Sequence, residues 1–468
     1  MEESYYKLIH QRYDFPQEGF DLEDGHLTFY GVSIHKLIEK YGTPFKLVYL
    51  PRISDQVSKA RVLFQQAIKK NSYQGEYNYC YCIKCCQFSF VLETALKEKV
   101  NLETSSAFDI DLVFNLLEKS LLTKDIYLIH NGYKTETYLK QIVKLNKEGF
   151  KNSIIILDSI SELSRIRRHT QSYSGVLNVG LRIAVDEEEQ STHNTSRMGI
   201  RPSEIIEYYK SHIHSDDKLR LNMVHFYIDS GMKDTSYYWR EFDKALNIYV
   251  ELKRLCPEIS ALNLGGGFPI KSNLEFDHNY GYIVEETVAK IKKTCVAAGV
   301  EEPNIFTEFG KFTVGESGAI IFKVLEKKVQ NEKDGWYIID NSLLNTIPDV
   351  WSLKEKFILL LINKWQNSYT KVNIGGISCD RSDYYNAEGS DKKLLLPEID
   401  SDEEPLYLGF FHTGAYQDAI SGYGGIKHCL IPAPKMIVID KDDQGHLTEE
   451  VIREEQSAEE MMRILGYL

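Results

Sequence analysis

Between Pro44 and Lys311, short β-branched or aromatic runs alternate with longer amphipathic ones, and no other feature of the chain limits its fold so strongly. The strand-like segments are Phe45 to Tyr49, Tyr77 to Ile83, Val100 to Glu103, Ile126 to Ile129, Ser153 to Leu157, Asn178 to Ile183, Asn222 to Tyr227, Ala261 to Leu264 and Asn304 to Thr307. Helix-like runs lie between them, among them Ile53 to Lys69, Tyr138 to Glu148, Tyr237 to Leu255 and Tyr282 to Ala298. Strands separated by helices pair in parallel. About eight such repeats fit a (β/α)8 TIM-type barrel better than an open doubly wound sheet.

After Lys311 the texture becomes aromatic and β-branched with turn signals, as in Trp336 to Asp340, Val372 to Ile377, Pro405 to Phe411 and Lys435 to Ile439. A possible hairpin, Gly19 to Gly31, lies near the amino terminus. The expected division is a barrel over residues 44–311 and a β-rich domain built from 1–43 and 312–468. At 468 residues two domains are natural, because one core rarely grows to that size.

The net charge of -13 opposes broad attraction to phosphate backbones, so nucleic acid is not an expected partner. No apolar stretch approaches the roughly 20 residues that cross a bilayer, and MEESYYKLIHQRYDF has no export signal. The expectation is a cytoplasmic protein without a membrane partner, its eight cysteines reduced.

Chemistry concentrates at a few positions. Lys84 ends an apolar strand, where an ammonium is costly to bury unless it is paired or made neutral. A covalent bond to an aldehyde cofactor would remove that cost. Cys80, Cys82, Cys85 and Cys86 crowd around it like soft-metal ligands, but no spaced CxxC or HxxxH partner would close a tetrahedral site, and small buried thiols explain them. No metal ligand is assigned. Gly265, Gly266 and Gly267 follow a strand and let backbone N–H groups approach a phosphate. Glu308 ends the next strand, where a carboxylate could hold the proton of a pyridine nitrogen. An amine, a glycine turn and a fixed carboxylate suit pyridoxal 5'-phosphate.

Several longer strings carry a resemblance: LGFFHTGAYQDAISG, GISCDRSDYY, TIPDVW and LETSSAFDI. With Lys84, the glycines and Glu308, they make the chain similar to the fold-type III pyridoxal phosphate decarboxylases, and nearest in pattern to the biosynthetic arginine decarboxylases. The resemblance implies an alanine racemase-like barrel with a C-terminal β-sandwich or β-barrel domain. It also implies a homodimer, or a higher oligomer of dimers, with a shared active site.

Position by position, the resemblance makes Lys84 the lysine that joins the cofactor and Glu308 the partner of its ring nitrogen. Ser230, Gly265 to Gly267 and Tyr416 match phosphate-binding positions, Glu103 and Asp109 a carboxylate pair near the cofactor, and Arg182 an arginine near its ring. Cys379 matches the acid that protonates the reaction intermediate from the other subunit. Asp349, Asp380 and Asp383 match segments facing the substrate or the dimer contact, and Arg197 a basic position that pairs across the dimer. The family's HxHxGS reads HFYIDS here, so His225 keeps the first histidine and Tyr227 takes the place of the ring-stacking one. Its Glu-x-Gly-Arg ends in Lys311, a point charge instead of a planar fork.

The implied reaction is decarboxylation of L-arginine to agmatine and carbon dioxide, in polyamine biosynthesis. A diaminopimelate or related diamino-acid decarboxylase is the alternative enzyme. A non-catalytic cofactor-binding or partner-regulating homologue is the alternative of another class. Mg2+ is compatible with the reading, although no pattern specifies a site for it.

Overall fold

Eight of the nine strand-like segments close into a parallel barrel in the computed structural model, which describes residues 15–170, 173–185, 196–329, 335–385, 394–399 and 404–468. The barrel strands are Tyr77–Cys82, Asn101–Thr104, Leu128–His130, Ser153–Leu157, Leu177–Arg182, Leu219–His225, Ala261–Asn263 and Asn304–Glu308. Each pairs in parallel with the next, and the eighth closes on the first with Ile305 opposite Tyr77 and Glu308 opposite Cys80.

Burial explains the strand composition. All five residues of Ser153–Leu157 are buried, as a parallel strand covered by helices on one side and barrel interior on the other requires. The interior is filled by Cys80, Ile129, Ile154, Ile156, Met223, Ala261 and Phe306, side chains drawn from six strands, so the barrel is a packed core and not a pore. The intervening helices carry their own start and stop signals. Thr135 accepts a hydrogen bond from Tyr138 N at the start of Glu136–Lys147, and Thr235 one from Tyr238 N at Ser236–Leu255. Gly299, in the left-handed region, ends Tyr280–Ala298.

The ninth segment is a correction. Phe45–Tyr49 is not a barrel strand: it lies inside a ten-stranded mixed sheet, antiparallel to Gly318–Val329 and parallel to Lys435–Lys441. Four of its five residues are buried, and a helix follows it, so locally it reads like any other βα unit. Only the pairing partners distinguish it, and they lie at least 270 residues away.

The chain divides into two units, one comprising Ser54–Pro269 and His278–Thr313, the other Met1–Ile53, Ile270–Asp277 and Val314–Leu468. The second contains the mixed sheet, which includes Gly335–Ile339, Tyr369–Gly375 and Tyr407–Phe411, and the hairpin Phe20–Glu23 with His26–Phe29. Its core gathers Phe45, Leu47, Ile320, Phe322, Tyr337, Leu408, Phe410 and Ile437. Among the described residues no helix is long and apolar enough to cross a membrane.

Candidate active site

In a closed parallel barrel all eight strands end at one mouth, and here each end supplies a polar or flexible group. The first strand runs into a single 3-10 turn, Ile83–Cys85, which breaks the pleat and presents Lys84. Ile83 and Cys85 are buried, whereas the Lys84 side chain keeps 40% of its surface exposed. Its Nζ lies 2.7 Å from Oε1 of Glu103, a residue of the second strand with no exposed side-chain surface. Burial opposes charge on Lys84, but the anions around it, Cys82 when ionised, then Glu103, hold its pKa well above the ordinary lysine value. Cys82 is itself pushed up, first by a hydrogen bond to Cys85 and then by burial. At neutral pH the Lys84 charge therefore rests on Glu103. Burial pushes the Glu103 carboxyl up, against the pull of the Lys84 ammonium.

Glu308, the last residue of the eighth strand, is gripped from three other strands. Its Oε2 accepts from Asn131 Nδ2 at 2.8 Å and lies 3.2 Å from His225 Nε2, and its Oε1 accepts from Asn263 Nδ2 at 2.7 Å. Burial would raise this carboxyl, but His225, Lys84 and Asn131 outweigh it and hold the pKa at about 2. Glu308 is thus an ionised carboxylate in a buried setting. His225 Nδ1 and Asn131 Oδ1 are buried without a hydrogen-bond partner.

The seventh strand ends in Gly265, Gly266 and Gly267. Gly267 has φ +120, and a Cβ there would lie 2.9 Å from Gly231 Cα. Met232 N donates to Gly267 O at 2.8 Å, so the turn carrying Ser230 packs directly on the glycine turn. A side chain at Gly266 would meet Glu308 O at 2.8 Å. Only a bare backbone fits this close approach.

Arg182 ends the fifth strand, 3.5 Å from Asp158 after the fourth, with its guanidinium 5.9 Å from the centre of the Tyr227 ring. Tyr227 donates its hydroxyl hydrogen bond to Asp229 at 3.1 Å. Lys311 is half-buried at the start of the short helix Lys311–Val314. Asp109, expected near the cofactor, serves as a capping box: its Oδ2 accepts from Ser105 N and Ser106 N at the start of Ala107–Glu118. Cys80, Cys82, Cys85 and Cys86 are buried, and none belongs to a converging set of three potential metal ligands among the described residues.

Apart from Arg197, which lies in the barrel unit, the remaining expected site residues belong to the other unit. Cys379 is exposed, with its Sγ 3.3 Å from Cys429 Sγ. Asp380 is exposed and caps Ser382 N at 2.7 Å. The expectation that Asp383 and Asp349 face substrate meets two buried carboxylates already engaged. Asp383 accepts from Leu343 N, Leu344 N and Ser378 N at 2.8, 3.2 and 3.2 Å, while Asp349 exchanges hydrogen bonds with the Gln417 amide. Tyr416 is half-buried with φ +66, following Gly414, where a Cβ would collide with the Val314 carbonyl. Arg197 is exposed.

Sequence reasoning passed over Asn131, Asn263 and Asp158. Each stands at or just after the end of an apolar strand, in LIHN, ALN and IILD, and that position was the available signal.

This donor set suits pyridoxal phosphate. A reachable amine paired with a buried carboxylate, an ionised carboxylate held by three donors, and a side-chain-free turn lie at one barrel mouth. Unpartnered buried atoms on His225 and Asn131 flank that carboxylate.

Comparison with known proteins agrees. Residues 56–315 match the family described as "Pyridoxal-dependent decarboxylase, pyridoxal binding domain". The biosynthetic arginine decarboxylase of Prochlorococcus marinus (strain MIT 9215) is 22% identical, over 93% of this chain and 85% of that one. The crystal structure of the biosynthetic arginine decarboxylase of Campylobacter jejuni superposes with a TM-score of 0.79 at 20% identity, covering 97% of this chain and 89% of that one. A diaminopimelate decarboxylase from M. jannaschii gives 0.78 at 20% identity, covering 95% and 97%. Fold likeness therefore does not choose between their substrates. The chain belongs to the pyridoxal-dependent decarboxylases, enzymes that cleave a carbon–carbon bond with pyridoxal 5'-phosphate as cofactor.

Proposed function

We propose that this protein decarboxylates L-arginine to agmatine and carbon dioxide, as a homodimer serving polyamine biosynthesis. The observation that carries the chemistry is the Glu308 carboxylate, kept ionised beside Lys84 by Asn131, His225 and Asn263. When bound, the cofactor supplies a protonated pyridine ring that accepts the electron pair left as carbon dioxide departs.

The protein's own residues do the rest. Lys84 must lose a proton before its nitrogen can bond the cofactor, and Glu103 Oε1, 2.7 Å away, is the acceptor at hand. Glu308 would hold the proton on the cofactor's ring nitrogen, and its three partners, Asn131, His225 and Asn263, orient the carboxylate for that role. Gly265 to Gly267, with Ser230 and Lys311, would bind the phosphate, and Arg182, aligned by Asp158, would sit near the ring.

Cys379 would return a proton to the substrate α-carbon. Its thiol pKa is raised, chiefly through the hydrogen bond with Cys429, so it carries a proton to give at neutral pH. Of the three acidic candidates for the guanidinium, Asp380 alone has an exposed carboxylate, which suits a charge-assisted bond. The strings shared with the arginine branch and the arginine decarboxylases among the relatives support arginine over diaminopimelate.

The test is turnover by the holoenzyme on arginine, ornithine, lysine and diaminopimelate, scored by carbon dioxide release with the amine product identified. Agmatine as the preferred product supports the proposal. Preference for another amino acid rejects arginine, and no turnover on any of them supports the non-catalytic alternative.

A further inference from the structure

We propose that Cys379, His428 and Cys429 form an open binding site for a thiophilic d10 cation of the zinc class. One ligand atom from each lies within 4.8 Å of the others, and all three side chains are exposed. The two sulfurs are 3.3 Å apart, against about 3.8 Å for two thiolates on a tetrahedral zinc with Zn–S near 2.3 Å. A separation change of roughly half an ångström, well within one rotamer adjustment, would seat the ion. Two thiolates and an imidazole are a soft, borderline set that selects zinc over magnesium or calcium.

The ligands are held in register by one short helix, Leu343–Thr346. The loop carrying Cys379 is tied to it through Asp383, whose Oδ1 accepts from Leu343 N and Leu344 N and whose Oδ2 accepts from Ser378 N. The His428–Cys429 segment is tied to it through Asn345: its Nδ2 donates to His428 O at 3.0 Å, and its Oδ1 accepts from His428 N at 3.3 Å. Cys429 sits at φ +58, a conformation costly for a non-glycine residue that turns its side chain towards Cys379. This bracing puts the three ligands in place before any ion arrives, so little ordering entropy opposes binding.

Binding displaces both thiol protons, so affinity falls as pH falls. It also removes the proton that Cys379 would donate, which makes the site inhibitory. That consequence rests on the decarboxylation reading, while the binding itself does not.

The probe is zinc chloride titrated into reduced, metal-free, full-length holoprotein against a chromophoric zinc competitor, with cobalt(II) as a spectroscopic substitute. The expected result is one equivalent per chain, with thiolate-to-cobalt charge-transfer absorption. Cys429→Ser and His428→Gln should each weaken zinc binding at least tenfold, and His428→Gln should keep its activity without zinc and lose zinc inhibition. Lys84→Ala should bind zinc normally, so failure of the metal site and failure of the enzymatic reading separate. Equal affinity in wild type and Cys429→Ser, or loss of both thiols as a disulfide under conditions that leave zinc unbound, would overturn the site.

Discussion

Replacing Glu308 by Gln probes the most heavily constrained group at the barrel mouth. A carboxyl moved from 4.5 to about 2 on folding contributes about 3 kcal/mol at neutral pH. The group is buried, with 6% of its side chain exposed, so solvent screening takes little from that figure. Gln keeps one acceptor but turns an NH2 towards either Asn263 Nδ2 or the Asn131 and His225 donors. Leaving those buried donors unpaired costs about 1–3 kcal/mol, which is the same scale. For a unit of this size the loss corresponds to a melting temperature lower by roughly 6–12 °C. The assay is thermal unfolding of cofactor-free wild type and variant across pH, so that ligand binding adds nothing to either. The folded pKa lies below the unfolded one. The Glu308 contribution is therefore fully present above pH 4.5 and is lost as pH falls through about 2. The gap should shrink to about 1 kcal/mol by pH 3. A shift under about 2 °C at pH 7, or a gap unchanged on acidification, would refute the reasoning.

Asp380 and Asp383 should part company despite lying three residues apart. Asp383→Ala strands three backbone donors and should cost about 1–3 kcal/mol in unfolding free energy. Asp380→Ala should leave the unfolding midpoint unchanged and raise KM for arginine about tenfold or more, as removal of a charge-assisted contact would. Gly267→Ala places a Cβ 2.9 Å from Gly231 Cα at φ +120 and should weaken cofactor retention in equilibrium dialysis, by about tenfold or more. Cys379→Ala should slow product formation while leaving cofactor absorbance intact, since the residue acts after the cofactor is bound; a normal turnover rate would remove it from the mechanism.

How much could be read in advance follows from which signals are local. A β-branched run followed by an amphipathic one is local, and eight barrel strands were legible that way, as was the polar residue at their ends in Lys84 and Glu308. Phe45–Tyr49 has the same local signature, but its place is set by distant strands at Gly318–Val329 and Lys435–Lys441. Asn131 and Asn263 are lone amides that form no motif, and only closure of the barrel brings both to Glu308. Asp380 and Asp383 look equivalent in DRSD, and the tertiary position of Leu343 decides which one is spent as a cap. Cys429 lies 50 residues from Cys379 and has no spacing pattern to mark it.

The claim on which the account turns is that Lys84, and no other lysine, bonds the cofactor. Borohydride reduction of the holoprotein followed by peptide mass mapping tests it directly, because reduction leaves a phosphopyridoxyl group permanently on the attached nitrogen. The account predicts a single labelled peptide carrying Lys84, with labelling abolished in Lys84→Ala. Label on Lys134, Lys311 or any other lysine of the wild-type protein would contradict it.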